Sequence, residues 1–515
     1  MFIDRDVLIR VSPEKFQNDV YDIVNLFYKG FILRSGGSPV RGAGGGADAA
    51  PDYICVTQSG GSCAVKTVYS RPGESGAGDT VDFNFNGYTT RAYQIKTALY
   101  GLLKARASLE LGKTASLPWG SLVGIRPVKI YADLAAGCLP PSDIVSKMSR
   151  DYDVPEKSSA LCLGILDTQR GILNKYDART DYMLYAGIPF CATKCAYCSF
   201  PSDAHNKPGK YAALYVDALL KEIYFIAGFM KNAGKKLKAA YIGGGTPTAL
   251  PAEELKRFLY GLSEAFGGEY PDELTVEAGR ADTVDDEKLG AILPLRHIAG
   301  RIRLCVNPQT MNRRTLELVG RAHTPEDVEK VYYMARESGF NEINMDIIAG
   351  LPGEDSADFM NTLEKVFGLK PESVTSHTLC IKRSSRFNEF QNRYAYPDAA
   401  EVGAMQEAAF ASAAAGGMRP YYLYRQKNTI GGLANIGYAV NGCECVYNIH
   451  EMADRIDVLA AGAGAVSKFI RGGEGRVERV FNVKNLLEYI SRIDEMIDRK
   501  KMFFEASRDG RPEGM

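Results

Sequence analysis

Four stretches near the start of the chain alternate apolar and polar residues with the period of two that a half-buried strand requires: residues 6–11, 53–57, 63–69 and 80–86. Residues 93–111 switch to helical spacing, with Ile95, Ala98, Leu99, Leu102 and Leu103 falling on one face. Two stretches break the pattern. Residues 35–50, rich in Gly and Ala, and residues 71–79, rich in Gly, read as flexible loops or tolerated insertions. The pattern predicts a small α/β domain over residues 1–135. Residues 119–127 hold the only tryptophan, Trp119, and read as a turn around a packed aromatic. Residues 136–180 read as a helical linker.

From residue 181 the rhythm changes. Short apolar runs at 183–186, 239–242, 274–277, 301–306, 343–348 and 374–378 alternate with amphipathic stretches such as 211–229, 253–266, 325–338 and 356–367. Thr324-Pro325-Glu326-Asp327 has the signature of a helix start: an N-cap hydroxyl, proline in the first position and acids in the first turn. Six strand–helix steps imply a parallel sheet with right-handed crossovers. They are too few for an eight-fold barrel. The expected fold class is therefore α/β, with a partial (β/α)6 barrel over 181–395 and its chemistry at the C-terminal ends of the strands. Residues 396–515 read as a mostly helical region covering the substrate, around a Gly-rich turn at 460–464.

Composition narrows the function. Lysine plus arginine equals aspartate plus glutamate at 62 each, so no general field attracts nucleic acid or an anionic membrane. No apolar run is long enough to span a bilayer, and the charged start, Met1-Phe2-Ile3-Asp4-Arg5-Asp6, lacks a signal-peptide core. The expectation is a cytoplasmic protein that binds no nucleic acid. Its eleven cysteines would then be mostly reduced or metal-bound.

Three of those cysteines fall within eight residues, in Cys191-Ala192-Thr193-Lys194-Cys195-Ala196-Tyr197-Cys198, just where the first barrel strand should end. A Cys-x3-Cys-x2-Cys loop can wrap three corners of an iron–sulfur cubane, leaving the fourth iron open to a ligand. A structural zinc site with His205 as a distant fourth ligand, or three ordinary thiols, are the alternatives.

Further along, Tyr241-Ile242-Gly243-Gly244-Gly245-Thr246-Pro247 ends the second apolar run in three glycines, which permit close backbone approach to a ligand. Glu277 closes the third run and Asp346 sits inside the fifth; such acids could take the hydroxyls of a ribose, or be satisfied buried carboxylates.

Taken together, these pieces resemble the oxygen-independent coproporphyrinogen III oxidases of the radical S-adenosylmethionine (SAM) superfamily, and the HemZ-type coproporphyrinogen dehydrogenase branch in particular. The resemblance covers about residues 180–475. It rests on Gly187-Ile188-Pro189-Phe190-Cys191, on Lys194-Cys195-Ala196-Tyr197-Cys198-Ser199-Phe200 and on Gly243-Gly244-Gly245-Thr246-Pro247. It continues through Val276-Glu277-Ala278-Gly279-Arg280, Val306-Asn307-Pro308-Gln309-Thr310-Met311 and Asp346-Ile347-Ile348-Ala349-Gly350-Leu351-Pro352-Gly353. The last matches are His377-Thr378-Leu379-Cys380-Ile381-Lys382-Arg383 and Tyr421-Tyr422-Leu423-Tyr424-Arg425-Gln426-Lys427-Asn428, and residues 119–129 look like the N-terminal region of the same branch.

The resemblance implies two cofactors, a 4Fe–4S cluster on Cys191, Cys195 and Cys198, and SAM. It places Tyr185, Gly244, Gly245 and Thr246 around the methionine part of SAM, and Tyr197 beside the cluster. Glu277 falls at the ribose, and Gln309, Arg321, Asp346 and Cys380 match further SAM contacts. The implied reaction is oxidative decarboxylation of two propionates of coproporphyrinogen III to vinyl groups, giving protoporphyrinogen IX, with reduced flavodoxin or ferredoxin as electron donor.

Lys382, Arg383 and Arg386 follow the sixth strand and are candidates for the carboxylates of a tetrapyrrole substrate, with Arg425 and Lys427 as a second choice. Three departures stand out. Phe200 replaces a fourth cysteine and Gly187 replaces a histidine of the better-known oxidases. Tyr447-Asn448-Ile449-His450 lacks the tryptophan of the haem-chaperone motif His-Asn-x-x-Tyr-Trp. A haem-transfer protein on the same fold, or a radical SAM enzyme for another substrate, are the alternative functions.

Overall fold

The computed structural model describes residues 7–12, 14–24, 26–27, 32–33, 52–59, 62–71, 74–84, 90–112, 117–123, 126–200, 210–382, 384–389, 394–427, 429–471 and 476–508. The loop expected over 35–50 lies outside them. The chain forms two compact units. The first contains Met1–Leu163, Asp398–Gly403 and Arg425–Ala434; the second contains Gly164–Pro397, Ala404–Tyr424 and Asn435–Met515.

The first unit opens with β1 (Val7–Ser12), α1 (Gln17–Val24), β2 (Ile32–Leu33), β3 (Asp52–Ser59), β4 (Ser62–Arg71), β5 (Glu74–Asn84) and α2 (Arg91–Leu111). The strands form one sheet in the order β2-β1-β3-β4-β5. Alternate residues Val7, Ile9, Ile54, Val56 and Val65 are buried with Ile95, Leu99 and Leu103 of α2, which is why both periodicities were legible. The Gly-rich stretch expected as a loop is mostly strand: Ala77 and Gly78 pair antiparallel with Tyr69 and Val68. β5 is the edge strand, where glycines cost little packing.

Three helices follow: α3 (Pro127–Ala136), α4 (Pro141–Tyr152) and α5 (Glu156–Leu173). The break expected near residue 135 falls at 163 instead. Its cause is polar: Tyr93 of α2 donates to the Asp151 carbonyl at 2.6 Å, and Tyr100 and Lys104 both reach Asp153, at 2.7 and 2.6 Å. Trp119 is the buried aromatic of a turn, as expected, with the Arg425 guanidinium 5.6 Å from its ring centre. Gly120 adopts φ of 52°, and a Cβ there would lie 1.9 Å from the Tyr152 carbonyl oxygen, so no other residue fits the turn.

The second unit carries the six expected strand–helix steps: β6 (Asp181–Ile188), α6 (Ala212–Asn232), β7 (Lys236–Gly244), α7 (Ala252–Phe266), β8 (Glu273–Glu277), α8 (Asp286–Ile292), β9 (Ile302–Cys305), α9 (Arg313–Leu318), α10 (Pro325–Glu337), β10 (Glu342–Ala349), α11 (Ser356–Gly368) and β11 (Ser373–Thr378). All neighbouring strands among them are parallel. This is the α/β partial barrel read from the sequence. The helix start at Thr324 is a full capping box with Asp327, and Asp355 and Asp358 form another ahead of α11.

Beyond β11 come α12 (Arg386–Glu389), α13 (Ala399–Ala415), β12 (Arg419–Arg425), β13 (Ala434–Ala439), α14 (Val446–Ala453), β14 (Asp457–Ala461), β15 (Val466–Arg471), β16 (Arg476–Phe481), α15 (Leu486–Ser491) and α16 (Ile493–Arg508). The expectation of mostly helix missed these strands. They extend the sheet at both edges, in the order β12-β13-β11-β10-β9-β8-β7-β6-β14-β15-β16. The Gly-rich turn at 460–464 is the end of β14, a seventh parallel strand beside β6. β14 is buried on both faces, so its short run has no alternation to betray it. Among the described residues, no helix is long and apolar enough to cross a membrane.

Candidate functional site

Strand register builds the site. Parallel partners share a face, so Tyr185 with Tyr241, Tyr241 with Thr275, Glu277 with Cys305, Cys305 with Asn344 and Asp346 with Thr375 all project to one side. Two residues further along each strand the same face carries Gly187, Gly243, Glu277, Asp346 and His377. The two glycines open a gap beside the first strands, and the polar groups line the other side. Tyr447 packs against both Tyr185 and Tyr241, at ring distances of 6.3 and 4.9 Å, and closes the base of this face with aromatic rings.

The three cysteines lie on the loop leaving β6. Cys195 is buried, and Cys191 and Cys198 are half-buried. Burial raises the Cys198 thiol; the neighbouring Cys195 and Cys191 add to this, and Lys382 opposes it. Cys191 Sγ lies 3.6 Å from the Thr246 hydroxyl. The glycine turn is clasped by the same loop: Gly245 N–H donates to the Ile188 carbonyl and Thr246 N–H to the Phe190 carbonyl, both at 2.7 Å. A Cβ on Gly245 would lie 2.5 Å from the Phe190 carbonyl oxygen, and Gly244 takes φ of 110°. Both glycines are therefore obligatory for this approach.

Among the described residues, no three His, Cys, Asp or Glu side chains are placed to hold a single metal ion. His205, the fourth ligand of the zinc alternative, lies outside the described residues. A cubane takes one thiolate per iron, so its ligands need not converge on one point.

The acids are in contrasting states. Burial raises the Glu277 carboxyl to about 7 despite a 2.6 Å hydrogen bond from the Tyr241 hydroxyl, and the charge of Asp346 adds to the rise. Burial also pushes Asp346 upward, but His377 at 3.5 Å and the Asn344 amide at 2.7 Å outweigh it and hold Asp346 below the usual range. Tyr424 in turn meets the other ring nitrogen of His377 at 3.2 Å.

Because Glu277 titrates higher when folded, its stabilising share is fully present below about 4.5 and declines as pH rises to about 7. Glu277→Gln cannot ionise. In the cofactor-free protein its stability relative to wild type should therefore rise by roughly 2–3 kcal/mol between those limits. Urea midpoints at pH 4.5, 5.5 and 7.5 check this; a constant difference would place Glu277 in a solvated environment.

Gln309 holds a left-handed φ of 68°, rare for a residue with a side chain. Its backbone bridges to β10, accepting from Ile348 at 2.8 Å and donating to the Asp346 carbonyl at 2.9 Å. The side-chain oxygens of Gln309 and Asn307 are buried with no hydrogen-bond partner. Two orphaned acceptors at one strand end suit a ligand rich in N–H groups.

Arg321 is buried and engaged with protein: its Nη atoms donate to the carbonyls of Gly279 and Asn307 and to the Tyr197 hydroxyl, at 2.8, 2.7 and 2.9 Å. Cys380 is buried two residues past β11. Of the expected substrate cations, Lys382 is half-buried and close enough to Cys198 and Cys380 to oppose the rise of both thiols. Arg386 is exposed at the start of α12, and Arg383 lies outside the described residues. The second-choice pair is structural in its own unit: Arg425 packs on Trp119 and donates to the Leu122 carbonyl, and Lys427 pairs with Asp22 at 2.8 Å.

Sequence reasoning did not pick out Tyr241, Asn307 or His377. Tyr241 and His377 become visible only once register aligns them with Glu277 and Asp346.

With this geometry in hand, comparison with known proteins is direct. Residues 185–366 match the Radical SAM superfamily model. The oxygen-independent coproporphyrinogen-III oxidase-like protein HemZ of Bacillus subtilis is 37% identical over 393 residues, covering 75% of this chain and 77% of that protein. The chain belongs to the HemZ-type branch of the radical SAM superfamily. Members use a 4Fe–4S cluster and SAM, and these are its cofactors. The haem chaperone HemW of Lactococcus lactis is 31% identical over 41% of this chain and 52% of that protein. The solved structure of the coproporphyrinogen III oxidase HemN of Escherichia coli matches at a TM-score of 0.47 and 22% identity, over 64% of this chain and 72% of that one.

The donor set fits both cofactors: three thiols would leave one iron for an outside ligand, and the glycine gap, the two acids and the orphaned acceptors of Asn307 and Gln309 lie on or just beyond neighbouring strands of the same sheet.

Proposed function

We propose that the second unit catalyses the oxygen-independent oxidative decarboxylation of coproporphyrinogen III propionates to vinyl groups. The observation that carries this is the convergence, on one face of the parallel strands, of the three-thiol loop, the glycine gap and the Glu277–Asp346 pair. The resemblance to HemZ supplies the substrate class.

In this reading Cys191, Cys195 and Cys198 hold the cluster, which, when reduced and in contact with SAM, supplies a 5′-deoxyadenosyl radical. Tyr185, Gly244, Gly245 and Thr246 form the wall against which the methionine part lies. Glu277, kept protonated or ionised by pH near neutrality, offers a hydrogen bond to the ribose, and Asp346, fixed by His377, offers a second as a carboxylate. Gln309 Oε1 accepts from an N–H of the same ligand. Arg321 acts through Tyr197, holding the loop rather than the ligand. The base lined by Tyr185, Tyr241 and Tyr447 would exclude water from the site when the cofactors are bound. Reduced flavodoxin or ferredoxin is the proposed electron donor, and the cytoplasm the proposed compartment.

The deciding experiment is an anaerobic assay with coproporphyrinogen III, SAM and reductant, read by product mass. Loss of two carboxyl groups, with 5′-deoxyadenosine formed in step, is the expected result. Stable haem binding without 5′-deoxyadenosine formation on porphyrinogen would instead favour haem transfer, as the similarity to HemW allows.

The two described cations should differ. Lys382 is half-buried, so a charge-assisted bond from it to a propionate is worth about 1.5–3 kcal/mol. Arg386 is exposed, and a pair there is worth about 0–1 kcal/mol. Lys382→Ala should raise the porphyrinogen KM roughly ten-fold or more, and Arg386→Ala no more than about five-fold. Equal effects would move the propionates out to the rim.

A further inference from the structure

Beneath the cysteine loop lies a ring of polar side chains, with Arg280, Arg321 and His323 buried, of which the proposed reaction uses only the Arg321–Tyr197 contact. Arg280 is 3% exposed. One of its nitrogens, Nη1, donates to the Thr193 hydroxyl at 2.8 Å and the Thr193 carbonyl at 3.1 Å, and lies 3.6 Å from Cys195 Sγ. Its Nε and Nη2 make a two-pronged pair with Asp282, at 3.0 and 2.9 Å. Asp282 meets His323 at 3.4 Å, His323 meets Arg321 Nε at 3.4 Å, and Arg321 returns to the loop through the Tyr197 hydroxyl. Burial lowers the His323 pKa, against the hydrogen bond to Asp282, and the nearby arginines add to the fall.

The charges in this ring do not cancel. Two arginines face one aspartate. Asp282 is engaged by Arg280, while Arg321 has no carboxylate within ion-pair distance among the described residues. Burying an unbalanced cation is costly unless an opposite charge sits nearby. An oxidised cubane on three thiolates carries one net negative charge and would supply it. Taking up one electron, with no bond made or broken, raises that negative charge to two.

We infer that Arg280, backed by Asp282, His323 and Arg321, is the counter-charge that makes the cluster reducible. Its N–H···S contact to Cys195 and the excess positive charge of the ring favour the more negative, reduced form. Hydrogen bonds to sulfur and local charge are established determinants of cluster potential. Burial protects the interaction from salt. Arg280 is thus a positioning and tuning residue, and the inference rests on the assignment of Cys195 as a cluster ligand.

The test is an EPR-monitored redox titration of the anaerobic protein with dithionite, without SAM or porphyrinogen. Arg280→Gln should keep its iron but show a reduced-to-oxidised ratio at least ten-fold lower at a given potential, a shift of about 59 mV for one electron. Thr193→Val removes a hydrogen bond from the same loop but leaves the charge, and should titrate like wild type. An unchanged midpoint in Arg280→Gln overturns the inference, and so does an equal fall in Thr193→Val, which would make loop geometry the cause. If Arg280→Gln loses iron, Arg280→Lys decides: a midpoint near wild type supports the charge role, and a ten-fold fall refutes it. A wild-type protein with no reducible cluster would sink the reading of the site itself, a separate outcome.

Discussion

With Cys191, Cys195 and Cys198 all replaced by alanine, the protein purified without oxygen should be colourless, hold essentially no iron and form no 5′-deoxyadenosine. The wild type should be brown and bind about four irons per chain, as one cubane requires. The effect should be complete because the loop offers no substitute. Phe200 stands where a fourth thiol could have served, and Cys305 and Cys380, which lie at the ends of neighbouring strands, are both buried. Cys443→Ala is the control. That cysteine is half-buried beside the Glu342 and Arg301 pair, at the opposite, N-terminal ends of the strands, and iron should stay intact. Iron measured by colorimetry, with the visible spectrum, separates the outcomes. A triple variant that stays brown would remove all three assignments.

The strands and the loop were legible because each is local. The six parallel runs are short apolar blocks between amphipathic helical stretches, and the cysteine spacing is contained in eight residues. What could not be read is what depends on register. Asp346 and His377 are far apart in sequence; that they share a face follows only from the pairing of Asp346 with Thr375 across β10 and β11. The same holds for Tyr241 beneath Glu277. Arg280 closed a quoted motif, yet nothing local says that it reaches back to Thr193 and Cys195. β14 escaped for another reason: its five residues are all buried, so it lacks both strand alternation and helical length. The Gly-rich start of β5 escaped because glycine content argues for a turn until an antiparallel partner is known.

The largest loss of stability should come from Lys500→Met, a residue far from the chemistry in sequence. Lys500 of α16 and Glu222 of α6 are both fully buried, with Nζ 2.6 Å from the carboxylate. Glu222 also accepts from the Gly462 N–H, the Asn482 amide and the Tyr489 hydroxyl, at 2.9, 2.9 and 2.5 Å. Through Gly462 the network reaches the strand that feeds the cysteine loop. A Cβ on Gly462 would lie 2.5 Å from the Gly187 carbonyl oxygen, and Tyr215 ties that oxygen to the Ala463 N–H. Removing the ammonium leaves a carboxylate buried without its counter-ion, a change that costs about 3–5 kcal/mol. Adding Glu222→Gln to the same chain removes the stranded charge while keeping one acceptor and the packing volume. The double variant should therefore recover more than half of the loss. Urea midpoints of the cofactor-free protein at pH 7 measure both steps. If the double variant is no more stable than Lys500→Met, charge is not what Lys500 contributes, and its packing against α6 must carry the effect. If the pair does brace β6, Lys500→Met should also lower iron occupancy at temperatures where the rest of the unit stays folded, and the double variant should restore it.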